Sequence, residues 1–142
     1  MDPNAFLNLA DRLSKEKVEE SLRTSVSRSY YGLFNSLAKF IQDNGYELPK
    51  AAEAHKITSR YLHNCGVSDM ESIAGRLNDL RSERNHADYD MSHSGFESDQ
   101  HAIFTFIKAK RAYNDFKQAT SSGKKRNKIS LGIAKYLEKI QA

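Results

Sequence analysis

Apolar residues recur every three or four positions along most of this chain, which is the spacing of one buried face of an α-helix. The clearest run lies between Lys17 and Asn44, and its apolar positions are Leu22, Val26, Tyr30, Leu33, Leu37 and Ile41. Asn44-Gly45, with Pro49 just beyond, is typical of a helix end. No segment shows the period-two alternation of a β-strand. The sequence therefore predicts an all-α fold.

The remaining helices are predicted from the same spacing and from residues that start or stop helices. They run from Asp2-Pro3 through Leu13, from Ala51 to Asn64, from Ser68 up to a polar break at Asp90 to Gly95, from Glu97 to Thr120, and through Ile129 to Ile140. Ser68 and Glu71 have the spacing of a capping box. Ser121 to Arg126 is predicted to be a basic loop. We expect one domain over residues 1–142, an antiparallel bundle of five to six helices with the basic loop and C-terminal helix at 121–142.

Composition favours a globular protein without a membrane segment. Hydrophobic residues make up 39% and charged residues 28% of the 142 residues, which is ordinary for such a domain. No apolar run approaches the roughly 20 residues of a membrane-spanning helix, and no secretory leader is recognisable. Cys65 is the only cysteine, so no internal disulfide or cysteine-based metal site is expected. We expect a cytoplasmic protein with no metal and no cofactor.

Positive charge is concentrated near the C-terminus. Residues 1–102 hold 12 Lys and Arg against 16 Asp and Glu, whereas residues 103–142 hold 10 against 2. Such a segment favours a polyanion-binding surface. The candidate RNA-binding residues are Lys124, Lys125, Arg126 and Lys128. The alternative is a solvated helix face with a basic connection.

Arg81 and His86 are the candidate catalytic residues. Arginine stabilises charge on phosphate oxygens, and histidine transfers protons near neutral pH. On a straight helix the two side chains lie about 140° apart around the axis and about 7.5 Å apart along it. One helix therefore makes a poor site, which a second copy related by a two-fold axis can complete. The alternative is an exposed histidine and a surface arginine on a polar helix.

Four further residues are candidates for supporting roles. Arg84 and Asp88 are four positions apart, so they are predicted to form a partly buried ion pair that fixes this helix against its neighbours. The Tyr89 hydroxyl is expected to hydrogen-bond across the bundle. Arg28 is a candidate second phosphate contact.

Two segments resemble the HEPN family (higher eukaryotes and prokaryotes nucleotide-binding domains) over about residues 5–120. Ser27-Arg28-Ser29-Tyr30-Tyr31-Gly32-Leu33-Phe34 matches the Ser-Arg-x-Tyr-Tyr-x-x-Phe pattern of the second HEPN helix. His55, near the start of the next helix, is also typical. Arg84-Asn85-His86-Ala87-Asp88-Tyr89 is similar to the Arg-x-x-Ala-Asp-Tyr ending of one bacterial branch.

The resemblance implies a helical bundle that is usually dimeric. The best-known members are metal-independent ribonucleases of toxin–antitoxin, phage-defence and CRISPR-associated systems. Their site is an Arg, four to six residues and then a His at the dimer interface, and Arg81 and His86 match that spacing. Ser82 departs from the Asn, His or Asp that often follows the Arg. The alternative is that Arg84 is the principal arginine of this branch and the Arg81–His86 spacing is coincidental.

We therefore hypothesise a homodimeric HEPN protein that cleaves or binds RNA in a prokaryotic defence or toxin–antitoxin setting, with a cognate antitoxin as a candidate partner. The alternative is a non-catalytic HEPN module that dimerises and docks a nucleotidyltransferase or another defence protein. A nucleotide-binding regulator is a third reading.

Overall fold

Six helices make up the fold in the computed structural model, which describes residues 1–141. They are α1 (Asn4–Leu13), α2 (Glu19–Asp43), α3 (Ala52–His63), α4 (Ser68–Tyr89), α5 (Gln100–Ala119) and α6 (Gly123–Gln141). Residues 1–141 contain no β-strand. The predicted all-α class and helical bundle are confirmed, and Ala142, the last residue of the predicted 121–142 segment, lies outside the described residues.

Helix α2 is the centre of the bundle and packs against α1, α3, α4 and α5. The six apolar positions predicted as its inner face are all buried, each no more than 1% exposed: Leu22, Val26, Tyr30, Leu33, Leu37 and Ile41. Their spacing places them on one stripe of the helix. The first two join a small cluster with Ala87 and Phe96, and the others lie in the main core.

Helix α6 packs closely on the turn between α3 and α4. A Cβ atom at Gly132 would lie 1.7 Å from the main-chain oxygen of Cys65, so only glycine permits this approach. The Tyr46 hydroxyl donates a hydrogen bond of 2.9 Å to the Ser130 carbonyl. Ile129 and Ile133 supply the buried face of α6.

Two predicted helix boundaries and one predicted helix cap are wrong. Lys124, Lys125 and Arg126 lie in the first turn of α6 rather than in a loop, because the Ser122 hydroxyl accepts a hydrogen bond from the Lys125 amide and caps the helix. Ser68 is the first residue of α4 and forms no capping box, because its neighbour Val67 occupies the cap position. Helix α5 begins at Gln100, because the Glu97 carboxylate accepts a hydrogen bond from the Gly95 amide within the preceding turn.

Among residues 1–141, every helix is too short or too polar to cross a membrane.

Candidate functional site

The two candidate catalytic residues contact different parts of the molecule. Arg81 lies close to Tyr30 and His55: its charge adds to the effect of burial in lowering the pKa of His55, and it opposes part of the rise that burial causes in the pKa of Tyr30. The half-buried His86 stacks instead on His93, with 4.1 Å between the ring centroids. One chain therefore does not bring Arg81 and His86 together, as expected from their angular separation on α4.

Tyr30 and His55 form the centre of a cluster of side chains where α2, α3 and α4 meet. Tyr30 is fully buried, and its hydroxyl shares a hydrogen bond with Nδ1 of His55. The His55 ring stacks on Phe34 at 4.2 Å between centroids and meets Tyr31 edge-on at 5.9 Å. We call Tyr30, Tyr31, Phe34, His55, Arg81 and Arg84 the aromatic–arginine cluster.

Burial keeps both members of the central hydrogen bond uncharged at neutral pH. Burial, with the nearby charges of Arg81 and Arg84, lowers the pKa of His55 from 6.5 to about 4. Burial raises the pKa of the Tyr30 hydroxyl, and this outweighs the opposing effect of the two arginines. At pH 7 the pair is therefore a neutral imidazole bonded to a neutral phenol. His55 is accordingly a weak base there and carries no proton to donate as an imidazolium.

Arg84 is the most buried arginine of the cluster and is 6% exposed. Its guanidinium lies 5.5 Å from the ring centroid of Tyr30 and 5.3 Å from those of Tyr31 and Tyr89, within the range of cation–π attraction. The predicted ion pair is confirmed, with 3.8 Å between Arg84 Nη1 and Asp88 Oδ2. Arg84 therefore links the end of α4 to Tyr30 and Tyr31 of α2, which we call the tyrosine pair.

The other supporting residues are also placed near the tyrosine pair. The prediction for Tyr89 is wrong, because its side chain is 74% exposed and its hydroxyl accepts a 3.1 Å hydrogen bond from Arg84 of the same helix. Asp88 accepts a 3.0 Å hydrogen bond from the Ser27 hydroxyl. The Arg28 guanidinium lies 5.2 Å from the ring centroid of Phe6 and 5.1 Å from that of Tyr31.

Positive charge exceeds negative charge around this cluster. Of Arg28, Arg81 and Arg84, only Arg84 forms an ion pair within residues 1–141. The Nε atoms of Arg81 and Arg84 are buried without a hydrogen-bond partner. Guanidinium groups that lack carboxylate partners are suited to binding phosphate oxygens. No three His, Cys, Asp or Glu side chains of the described chain are arranged to hold a metal ion.

Arg23 is an organising residue that the sequence analysis missed. It is 6% exposed and donates hydrogen bonds of 3.0 to 3.3 Å to five main-chain oxygens, those of His86, Ala87, Asp90, Met91 and His93. Its guanidinium also lies 4.4 Å from the centroid of the Phe96 ring. Arg23 thus fixes the end of α4 and the segment that carries His93. Its spacing of three from Val26 and seven from Tyr30 places it on the buried face of α2, which was the available signal.

Two of the four basic residues at the start of α6 have a structural role. The Arg126 guanidinium donates to the Thr120 carbonyl at 2.8 Å, and Lys125 Nζ donates to the Gln118 carbonyl at 3.3 Å. Both cations therefore satisfy carbonyl groups at the end of α5, where positive charge is favourable. Lys124 and Lys128 are exposed and remain candidates for contact with RNA.

The depressed pKa of His55 predicts an acid sensitivity. Between about pH 6.5 and pH 4 the unfolded chain protonates this imidazole and the folded chain does not, so the free energy of unfolding falls as the pH is lowered through this range. We expect His55→Gln, which keeps hydrogen-bonding groups but does not titrate, to reduce the loss of stability between pH 7 and pH 4.5. The reduction should be about 1 to 2 kcal/mol, after allowance for the solvent-exposed part of the ring.

Urea denaturation at the two pH values measures this difference. His63→Gln is the matched control, because His63 is exposed and the substitution should leave the wild-type pH dependence. Equal pH dependence for wild type and His55→Gln would contradict a depressed His55 pKa.

The chain is similar to a known protein over part of its length. The chain is 30% identical over 104 aligned positions to uncharacterized protein MJ0992 of Methanocaldococcus jannaschii, and the alignment covers 61% of this chain and 59% of that protein. The chain thus spans about three fifths of the length of this relative. No protein-family model matches the chain, and no solved structure matches it.

Proposed function

We propose that this chain is a HEPN-type, metal-independent endoribonuclease that acts as a homodimer in a prokaryotic defence or toxin–antitoxin system. One observation carries the proposal: the two segments that resemble the family contact each other although about 60 positions separate them. Ser27 donates to Asp88, and Arg84 lies against Tyr30 and Tyr31. The motif residues thus support one another as a single unit around α4, the helix that carries Arg81 and His86.

The proposed reaction uses the RNA itself as nucleophile. The ribose 2′-oxygen attacks the adjacent phosphorus and loses its proton, while the 5′-oxygen of the next nucleotide leaves and gains one. His86 takes part in this proton transfer, and Arg81 stabilises the charge that builds on the phosphate oxygens. The products are a 2′,3′-cyclic phosphate and a free 5′-hydroxyl. The two side chains point away from each other on α4. Arg81 of one protomer therefore acts together with the histidine at position 86 on α4 of a second copy.

Further cations are available to hold the substrate. Arg28 lies beside the tyrosine pair, and Lys124 and Lys128 project from α6. Lys125 and Arg126 donate to neutral carbonyl groups of the α5 end and keep their full charge, so we include both in the RNA contact of that helix. Contacts of this type are salt-dependent and insensitive to base sequence.

A second candidate function is a non-catalytic HEPN module that dimerises and docks a nucleotidyltransferase or another defence protein. It is favoured by the exposed apolar surface next to His86, where Tyr89 is 74% and Met91 is 66% exposed. It is also favoured by the stacking of His86 on His93, which gives this histidine a packing role.

The test is cleavage of mixed RNA by the purified protein in the presence of EDTA. We expect cleavage to be unaffected by EDTA and to leave 2′,3′-cyclic phosphate ends, detected by their resistance to ligation until they are opened. Light scattering of the same sample should report about twice 16.1 kDa. A dimer that does not cleave RNA would favour the docking module. A strict monomer would contradict a site shared between two protomers.

A further inference from the structure

A basic groove runs along the surface between α3 and α4 and has a volume of about 320 Å³. Its lining includes Lys56, Arg60 and His63 of α3 and Arg81 of α4, and it includes no carboxylate. None of Lys56, Arg60 and Arg81 forms an ion pair within residues 1–141. The groove therefore presents three uncompensated positive charges to whatever occupies it.

The basic residues of α3 form a row along the groove. Lys56, Arg60 and His63 are spaced by four and three positions, so they share one face of the helix and extend about 10 Å along its axis. A row of this kind follows a linear polyanion, such as a sugar-phosphate backbone, better than it surrounds a single small anion. The volume of the groove, about 320 Å³, suits one strand rather than a duplex.

The polar residues of the groove are oriented for a ligand that accepts hydrogen bonds. The Ser59 hydroxyl donates to Oδ1 of Asn78 at 2.9 Å. This bond occupies the acceptor of the Asn78 side chain and leaves its amide hydrogens for a ligand in the groove. No Phe or Tyr ring lines the groove, so the large aromatic surfaces on which bases stack are missing there and contact is made mainly to the backbone.

Arg81 joins the groove to the aromatic–arginine cluster. Its charge acts on His55 and Tyr30, and the same side chain lines the groove. Its Nε is buried without a partner. A strand in the groove therefore reaches the arginine to which we assign the reacting phosphate.

We propose that the α3–α4 groove binds the backbone of single-stranded RNA with little sequence preference. This inference deepens the proposed function, on which it rests, by assigning the path of the substrate to Lys56, Arg60 and Asn78. These residues lie outside the two segments that resemble the HEPN family.

The experiment measures binding of a 2′-O-methyl oligouridine, which lacks the nucleophile for cleavage. Lys56→Ala/Arg60→Ala should weaken binding on the order of tenfold at 0.1 M salt and make the slope of log K against log salt shallower by about 1.4, because two phosphate contacts are lost. The control Lys15→Ala/Lys39→Ala removes the same charge from two exposed lysines that pair with Asp11 and Asp43, and it should bind as wild type does. Circular dichroism checks that both variants are folded.

The outcomes separate the groove from the catalytic proposal. If binding depends on the groove residues but ordinary RNA is not cleaved, the groove proposal is supported and the ribonuclease proposal is contradicted. Three results would each contradict the groove proposal. They are wild-type affinity in the groove variant, equal losses of affinity in the groove variant and the control, and no binding by the wild type. A larger loss with duplex than with single-stranded RNA would overturn the assignment to a single strand.

Discussion

Replacing Arg23 with methionine should lower the free energy of unfolding by about 3 to 5 kcal/mol, because five main-chain oxygens lose a side-chain donor at once. Two of them, on His86 and Asp90, keep one main-chain donor each. Two of the five, on His86 and Ala87, belong to the last turn of α4, where carbonyl groups have no partner within the helix. Methionine fills much of the arginine volume but donates no hydrogen bond. Thermal denaturation should show a decrease in Tm of about 10 °C or more, and urea denaturation gives the free energy.

Two variants sharpen this measurement. Arg111→Met is the matched control, because Arg111 is exposed on α5, and its effect should stay within about 0.5 kcal/mol. Arg23→Lys should recover only part of the stability, because an ammonium group lacks the planar fork that reaches several carbonyls. A stability of Arg23→Met close to wild type would mean that water replaces the guanidinium at these oxygens.

Arg23 also determines where the candidate catalytic histidine lies. It bonds to the carbonyls of both His86 and His93, the two residues whose rings stack at 4.1 Å. The stack therefore depends on a guanidinium of α2 that holds the end of α4 and the following segment together. Loss of Arg23 should displace His86 as well as destabilise the fold, so stability and activity must be measured on the same samples.

The fold was predictable from the sequence where burial follows helix periodicity. The inner face of α2 was identified in full, because a helix surrounded by four others must bury a continuous apolar stripe. The start of α6 was not identified, because its run of basic residues has the composition of a solvated loop. These cations are compatible with a helix start because Lys125 and Arg126 reach the carbonyl groups at the end of α5. That compensation depends on how two helices meet and is not encoded in local composition.

The candidate site was predictable only where its contacts are local. The Arg84–Asp88 pair follows from a four-residue spacing on one helix. The Tyr30–His55 hydrogen bond joins residues 25 positions apart, and the bonds of Arg23 cross 63 to 70 positions. Such contacts depend on the packing of α2 against α3 and α4. The sequence therefore offered candidate residues, and the structure grouped Arg81 with His55 and His86 with His93.

His86→Ala and Arg81→Ala should each lower RNA cleavage by about 10² to 10⁴-fold, because one removes the proton-transfer group and the other the cation that meets charge on the phosphate. Both side chains are half-buried, so the fold should remain intact. Arg84→Ala should instead lower thermal stability, because Asp88 loses its partner in a partly buried setting. Cleavage rates and melting temperatures of the three variants measure these effects.

Mixing the two inactive variants tests whether the site is shared between protomers. In a heterodimer, the chain with Arg81→Ala still supplies His86 and the chain with His86→Ala still supplies Arg81, so one of the two sites is complete. Because random exchange makes half of the dimers mixed, about a quarter of the wild-type activity should return. Phe104→Ala, which removes an exposed ring on α5, is the control for loss of a ring alone. No recovery of activity on mixing would contradict the composite site. If the Arg84→Ala variant is stably folded but inactive, and the Arg81→Ala variant stays active, then Arg84 is the catalytic arginine.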